Sequence, residues 1–140
     1  MTILVTGAAG FIGSNFALNW LDKEDENVIS LDNLTYAGNM DNLSSLVKDK
    51  RHSFIKGDIG DSELISSVLQ KHNPTAIINF AAESHVDRSI SSPDTFIETN
   101  ILGTYRLLQS TLSYWEMLTT KEKKDFRFMH ISTDEVYGDL

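Results

Sequence analysis

Near the end of the chain a hydroxyl, Thr133, stands beside two adjacent carboxyl groups, Asp134 and Glu135. Removing water from a carbon next to a carbonyl requires a base for the acidic C–H and an acid for the departing hydroxyl. Two neighbouring carboxyls can take those opposite roles when their environments push their pKa values apart. A solvated Asp-Glu pair is ordinary at a protein surface. This one gains weight from its place directly after a β-rich run, Arg127 to Ser132.

A second constellation opens the chain. The run TGAAGFIG, Thr6 to Gly13, follows at once on Ile3, Leu4 and Val5, so Gly7, Gly10 and Gly13 fall where a first strand turns into a helix. Such a turn bends tightly, brings backbone close to a pyrophosphate with no Cβ in the way, and packs the helix on the strand. The helix N-terminus supplies unpaired N–H groups and about half a positive charge for the phosphates. The next β-rich run, NVISLD, ends in Asp32, a carboxylate 19 positions beyond Gly13. Asp32 is placed to accept from both hydroxyls of an adenosine ribose and to repel a 2′-phosphate, and Asn33 and Leu34 bring no cation to offset that repulsion. The pattern points to NAD and away from NADP.

Two further clusters follow β-rich runs. In Gly57–Ile59 the Asp58 carboxylate can accept from an adenine amino group while Ile59 lies against the ring. In FAAESHVDRS, Phe80 to Ser89, the small Ala81 and Ala82 permit close approach of a cofactor, and Glu83, Ser84, His85, Asp87 and Arg88 follow. Ser84 carries a hydroxyl suited to bind substrate near the nicotinamide end. For His85 the plainer reading is structural, part of a polar cap in which Asp87 and Arg88 satisfy each other. Plain alternatives stand beside the others too: an ordinary glycine turn, a polar turn begun by Asp32 and Asn33, a turn acid at Asp58.

Composition sets the frame for these groups. The chain has 140 residues, 41% of them hydrophobic, enough for one sizeable core. Its formal charge of −8, spread along the sequence, argues against nucleic acid and anionic membranes as partners. There is no cysteine, hence no disulfide framework or thiolate catalysis, and the four histidines lack metal-site spacing, so no metal is expected. The start has no basic region before its short apolar run, no stretch approaches the roughly 20 apolar residues of a membrane helix, and a cytoplasmic location is expected.

The elements that must position the chemistry alternate. Strands are predicted near Ile3 to Thr6, Val28 to Asp32, Ser53 to Lys56, Ala76 to Phe80 and Arg127 to Ser132. Helices are predicted over Phe11 to Lys23, after Asp61 as N-cap with Leu64, Ile65, Val68 and Leu69 on one face, and over Asp94 to Met117. In the last, Phe96, Ile97, Ile101, Tyr105, Leu108 and Leu112 are expected to pack on the sheet, with a second face available to a dimer. The charged stretch Lys121 to Asp125 reads as a solvated connection. Alternation of this kind gives an α/β fold, a Rossmann-like doubly wound parallel sheet of order 3-2-1-4-5 with ligands beyond the carboxyl ends of the strands.

The spacing Gly-x-x-Gly-x-x-Gly is one residue longer than the commoner Gly-x-Gly-x-x-Gly and resembles the short-chain dehydrogenase/reductase superfamily, particularly its extended branch. DNLTYAGN (Asp32 to Asn39), AAESHVDRS (Ala81 to Ser89), FIETNILGT (Phe96 to Thr104) and STDEVYGDL (Ser132 to Leu140) closely resemble the dTDP-glucose 4,6-dehydratase family, across the whole chain. Sugar-nucleotide 4-epimerases are similar at the glycine loop but typically carry small or hydroxyl residues where Asp134 and Glu135 stand, which favours dehydration over epimerisation. The resemblance implies oxidation of the glucose fourth carbon by NAD, loss of water across the fifth and sixth carbons, and return of the hydride to the sixth. It implies that Asp134 protonates the leaving hydroxyl, that Glu135 takes the proton from the fifth carbon, and that Ser84 and Thr133 contact the sugar of dTDP-glucose. It also implies that Phe11, Ile12, Asp32, Asn33, Leu34, Thr35, Asp58, Ile59, Phe80, Ala81, Ala82, Glu83, Ser84 and Thr99 line the NAD site, and that the intact enzyme is a homodimer.

One departure bounds this reading. The superfamily takes the sugar hydroxyl's proton with a Tyr-x-x-x-Lys pair, yet Tyr36, Tyr105 and Tyr114 are followed four residues later by Met40, Gln109 and Leu118, and Tyr137 is three residues from the end. Residues 1–140 therefore read as the NAD-binding Rossmann portion of a longer enzyme, incomplete at its C-terminal side, without the nucleotide-sugar domain and inactive alone. Two other classes remain open: another extended-branch nucleotide-sugar enzyme, and a non-catalytic NAD-binding module.

Overall fold

The computed structural model describes residues 1–85, 90 and 92–138, with Glu135 described by its backbone alone. Strands β1 (Thr2–Thr6), β2 (Asn27–Asp32), β3 (His52–Lys56), β4 (Ala76–Asn79) and β5 (Arg127–His130) form one parallel sheet of order β3-β2-β1-β4-β5. The predicted order holds, with Val5 level with Ser30 and Ile78. Ile3, Leu4 and Val5 are fully buried, as a central parallel strand covered on both faces requires. β4 and β5 each end short of the prediction, which releases Phe80 and Ile131 to Ser132 into the loops beyond the sheet.

Helix α1 (Phe11–Lys23) and a 3-10 helix, Met40–Leu46, cover one face. Their Ala17, Leu21, Leu43 and Leu46 join Ile3, Val5, Val28 and Ile78 in one core cluster. The 3-10 helix was not anticipated between β2 and β3; Asn39 caps it by accepting from the Asp41 N–H, a local signal that the hydrophobic pattern does not carry. Arg51 then fastens the approach to β3 to the end of α1, donating to the Leu21 and Glu24 carbonyls at 2.9 Å each. Its hydrogen bonds to Asp49 bring that carboxyl down to about 2, so the pair stays ionised at neutral pH.

The other face is covered by α2 (Ser62–His72) and by a composite helix: α3 (Pro93–Phe96), a π-helical stretch Ile97–Gly103, and α4 (Thr104–Met117). Asp61 caps α2 as predicted, accepting from the Leu64 N–H at 3.0 Å, and Ile65, Val68 and Leu69 are buried. Left-handed Asn73, before Pro74, stops it. The predicted core face of the composite helix is wrong. Ile97, Ile101, Tyr105, Leu108 and Leu112 are exposed, and Gly103, Leu107, Ser110, Thr111 and Tyr114 are buried against α2 and the sheet. The helix has two candidate stripes, and the one with small residues lets the backbones approach while Tyr114 donates to the Pro74 carbonyl at 3.1 Å. The predicted connection before β5 is largely exposed, as expected, and takes the form of a short helix, α5 (Thr120–Asp125), nucleated by a capping box between Thr119 and Glu122. The proposed Asp87–Arg88 pairing lies outside the described residues.

Candidate functional site

The ends of β1, β2 and β4 surround a single crevice of about 420 Å³. Gly7 ends β1 in a left-handed conformation (φ 64°), and Gly10 stands as N-cap of α1 with no side chain to offer the first turn. Gly7, Gly10, Phe11, Ile12 and Gly13 all line the crevice. The uncapped N-terminus of the 13-residue helix α1 thus opens on it, with a partial positive charge suited to phosphate oxygens. No Lys or Arg is among the described lining residues.

Asp32 forms the second wall. Its Oδ2 accepts from the Ala9 N–H and its Oδ1 from the Leu34 N–H, both at 2.8 Å, which fixes the carboxylate and turns the chain through left-handed Leu34 (φ 55°). Each oxygen keeps a further lone pair for a ribose hydroxyl. Asn33 and Thr35 line the crevice with it; Leu34 does not, because its side chain packs into the core beside α1. Asp58 and Ile59 line the far end, where Asp58 accepts from the Asn33 side chain at 2.8 Å and from the Gly60 N–H at 2.7 Å. Both the turn role and the placement beside the crevice hold for Asp58. Sequence reasoning missed Ala37 and Gly38, which also line it; a Cβ on Gly38 would come within 2.7 Å of Asp32 Oδ1, a constraint visible only in three dimensions.

The third wall is the loop after β4. Phe80, Ala81, Ala82, Glu83 and Ser84 line the crevice, joined by Thr99 from the π-helical stretch and by Ile131, Ser132 and Thr133 after β5. Asn79 ties the strand ends together: its carbonyl oxygen accepts from the Thr6 hydroxyl and from the Ala81 N–H at 3.3 Å, and its amide donates to His130 Nδ1 at 3.0 Å. Asn100, which no sequence signal singled out, holds the loop from the helix side. Its Oδ1 accepts from the Glu83 N–H at 2.8 Å and its Nδ2 donates to the Glu83 carbonyl at 2.9 Å. Replacing it (Asn100→Ala) orphans both groups, and denaturant unfolding is expected to show a loss of about 1–3 kcal/mol. An unchanged midpoint would show that the clamp carries no weight.

The crevice stops at Thr133. Asp134 follows it in an exposed 3-10 turn, Asp134–Tyr137, outside the lining, and the Glu135 side chain lies outside the described residues. The sequence-predicted residues therefore divide. Those assigned to the cofactor, Leu34 apart, and the two hydroxyls assigned to substrate share one cavity, with the first acid at its edge.

Comparison with known proteins matches this geometry. A family model described as GDP-mannose 4,6 dehydratase matches residues 4–140. The dTDP-glucose 4,6-dehydratase of Xanthomonas campestris pv. campestris (strain B100) is 54% identical over 139 residues, 99% of this chain and 39% of that protein. A crystal structure of the dTDP-glucose 4,6-dehydratase of Streptomyces venezuelae with NAD bound superimposes with a TM-score of 0.86 at 46% identity, covering 100% of this chain and 42% of that one. The UDP-glucose 4-epimerase of Thermotoga maritima follows the same sheet with a TM-score of 0.72 at 33% identity, over 81% of this chain and 35% of that one. The chain thus spans about two fifths of the length of the curated relatives it matches. On the match over residues 4–140, and on a fold shared with an NAD-bearing neighbour, the chain belongs to the GDP-mannose 4,6 dehydratase family of extended short-chain dehydrogenases/reductases.

Proposed function

We propose that the crevice binds NAD and that the whole protein carrying this segment converts dTDP-glucose to dTDP-4-keto-6-deoxyglucose. The observation that carries the reading is one continuous cavity running from the glycine turn past Asp32 and Asp58 to Ser84 and Thr133. The residues fit the dinucleotide: an uncapped helix N-terminus for the pyrophosphate, a fixed carboxylate for the ribose, and, among the described lining residues, no cation that would welcome a 2′-phosphate. When bound, NAD supplies the hydride acceptor and, later in the cycle, the hydride donor.

The chain's own groups do the rest. Ser84 and Thr133 hold the sugar at the end of the crevice. Asp134 gives its proton to the departing hydroxyl oxygen on the sixth carbon, and Glu135 takes the proton from the fifth. The remaining part of the protein supplies the tyrosine that deprotonates the fourth-carbon hydroxyl and the nucleotide-sugar domain. The cytoplasm, where nucleotide sugars and NAD are both at hand, is the proposed location. The test is product analysis with the whole protein and dTDP-glucose: a 4-keto-6-deoxy product without net consumption of NAD supports the reading, and an epimer overturns it.

The whole protein is also proposed to be a homodimer through the composite helix. Ile97, Ile101, Tyr105, Leu108 and Leu112 recur at helical spacing on its exposed face, an apolar stripe that water disfavours. Paired substitution, Ile101→Asp with Leu108→Asp, is expected to halve the mass seen by light scattering. A parent protein that is already monomeric, or a pair variant of unchanged mass, rules the interface out.

A further inference from the structure

Two exposed aromatic rings meet where the walls of the crevice come together. Tyr36 lies in the loop after β2 and His85 in the loop after β4, the two strands that flank β1. Their ring centroids are 5.1 Å apart with planes 24° from parallel, a stacked pair. Neither side chain belongs to the core; Tyr36 is 42% exposed. Their chain neighbours, however, face inward: Thr35 and Ala37 line the crevice on one side and Ser84 on the other. The stack therefore sits at the rim and joins the two lips.

Both loops are anchored just below the rings. On the first, the Leu34 N–H is held by Asp32 and the Asn39 N–H donates to the Ala9 carbonyl at 3.0 Å, so Tyr36 rides a short span fixed at each end. On the second, Asn100 holds Glu83 by two hydrogen bonds, two residues before His85. Both anchors lie below the stack, which is a contact between the two lips at the rim.

We propose that the Tyr36–His85 stack is a strap that closes the mouth of the crevice and slows dinucleotide exchange. This rests on the assignment of the crevice to NAD. A reaction that takes a hydride and returns it regenerates its cofactor in place, so holding the dinucleotide through successive turnovers costs the cycle nothing.

The whole protein is loaded with NADH and mixed with excess NAD, and loss of bound NADH fluorescence gives the exchange rate. An aromatic pair of this kind is worth enough to slow opening about three- to tenfold, so Tyr36→Leu and His85→Ala are each expected to exchange faster by that factor. His85→Phe keeps a stackable ring and is expected to stay within about twofold of the parent. Thermal melting checks that each variant folds, and if one fails the other carries the same comparison. Leu and Ala variants that exchange at the parent rate overturn the strap, as does a His85→Phe variant that exchanges as fast as they do. A parent that takes up no NADH overturns the cofactor assignment itself, a different result from binding with unaltered exchange.

Discussion

Asp134→Asn in the whole protein is expected to slow dehydration about 10²- to 10⁴-fold, the usual contribution of a positioned proton donor, while NAD affinity stays within about a factor of two. The two readouts separate because the crevice ends at Thr133 and leaves Asp134 in the exposed turn beyond it. An amide of the same shape cannot give up the proton that the departing hydroxyl needs. Glu135→Gln is expected to cost as much by a different route, since the proton on the fifth carbon then has no acceptor. In the proposed mechanism oxidation at the fourth carbon uses neither carboxyl, so it is expected to persist in a single turnover of either variant. The double variant is expected to be little worse than the single ones, because acid and base act as a unit on one elimination. Steady-state product formation checks the loss and NADH titration checks the binding. Full activity in Asp134→Asn would remove the acid role.

Alanine at the glycines of the first turn is expected to split into two outcomes. Gly7→Ala places a Cβ on a residue at φ 64°, within 2.6 Å of the Ala81 nitrogen and 2.7 Å of the Phe80 carbonyl carbon. Those atoms are backbone and cannot step aside. The left-handed conformation alone costs roughly 1–2 kcal/mol, and the displaced loop after β4 adds to it. A total of about 3 kcal/mol or more is expected, with melting lowered by roughly 10 °C. Gly13→Ala belongs to the same class, since its Cβ would collide with the Gly7 carbonyl oxygen. Gly10→Ala differs: the Gly7 oxygen at 3.3 Å is the nearest obstacle, so the fold tolerates the methyl, which stands where a pyrophosphate approaches the helix N-terminus. NAD affinity is then expected to fall about tenfold or more with melting within a few degrees of the parent, since a displaced phosphate loses charge-assisted hydrogen bonds. Equal melting of Gly7→Ala and Gly10→Ala would overturn this account of the turn.

The fold was legible because its signals are local. Ile3, Leu4 and Val5 followed by Gly7, Gly10 and Gly13 specify a buried parallel strand and a tight strand-to-helix turn, and Asp61 before Leu64, Ile65, Val68 and Leu69 specifies a capped helix. The composite helix was misread because burial depends on what faces it. Ile101, Tyr105 and Leu108 are the more apolar stripe, yet α2 sits against Gly103, Leu107 and Ser110, whose small residues admit a close backbone.

The site divides along the same line. The sequence alone determined the identity and order of the groups: the glycine turn, the carboxylate of Asp32, a hydroxyl at Ser84, and the Thr133–Glu135 run, each following a strand. Only the tertiary structure decided which of them share a cavity, that Leu34 turns inward to the core, that Asn100 grips Glu83 from across 17 residues, and that Tyr36 meets His85. Spacing along a chain sets which element a side chain belongs to. Contacts between elements follow from how the sheet twists and where the helices settle on it, and no local pattern encodes them.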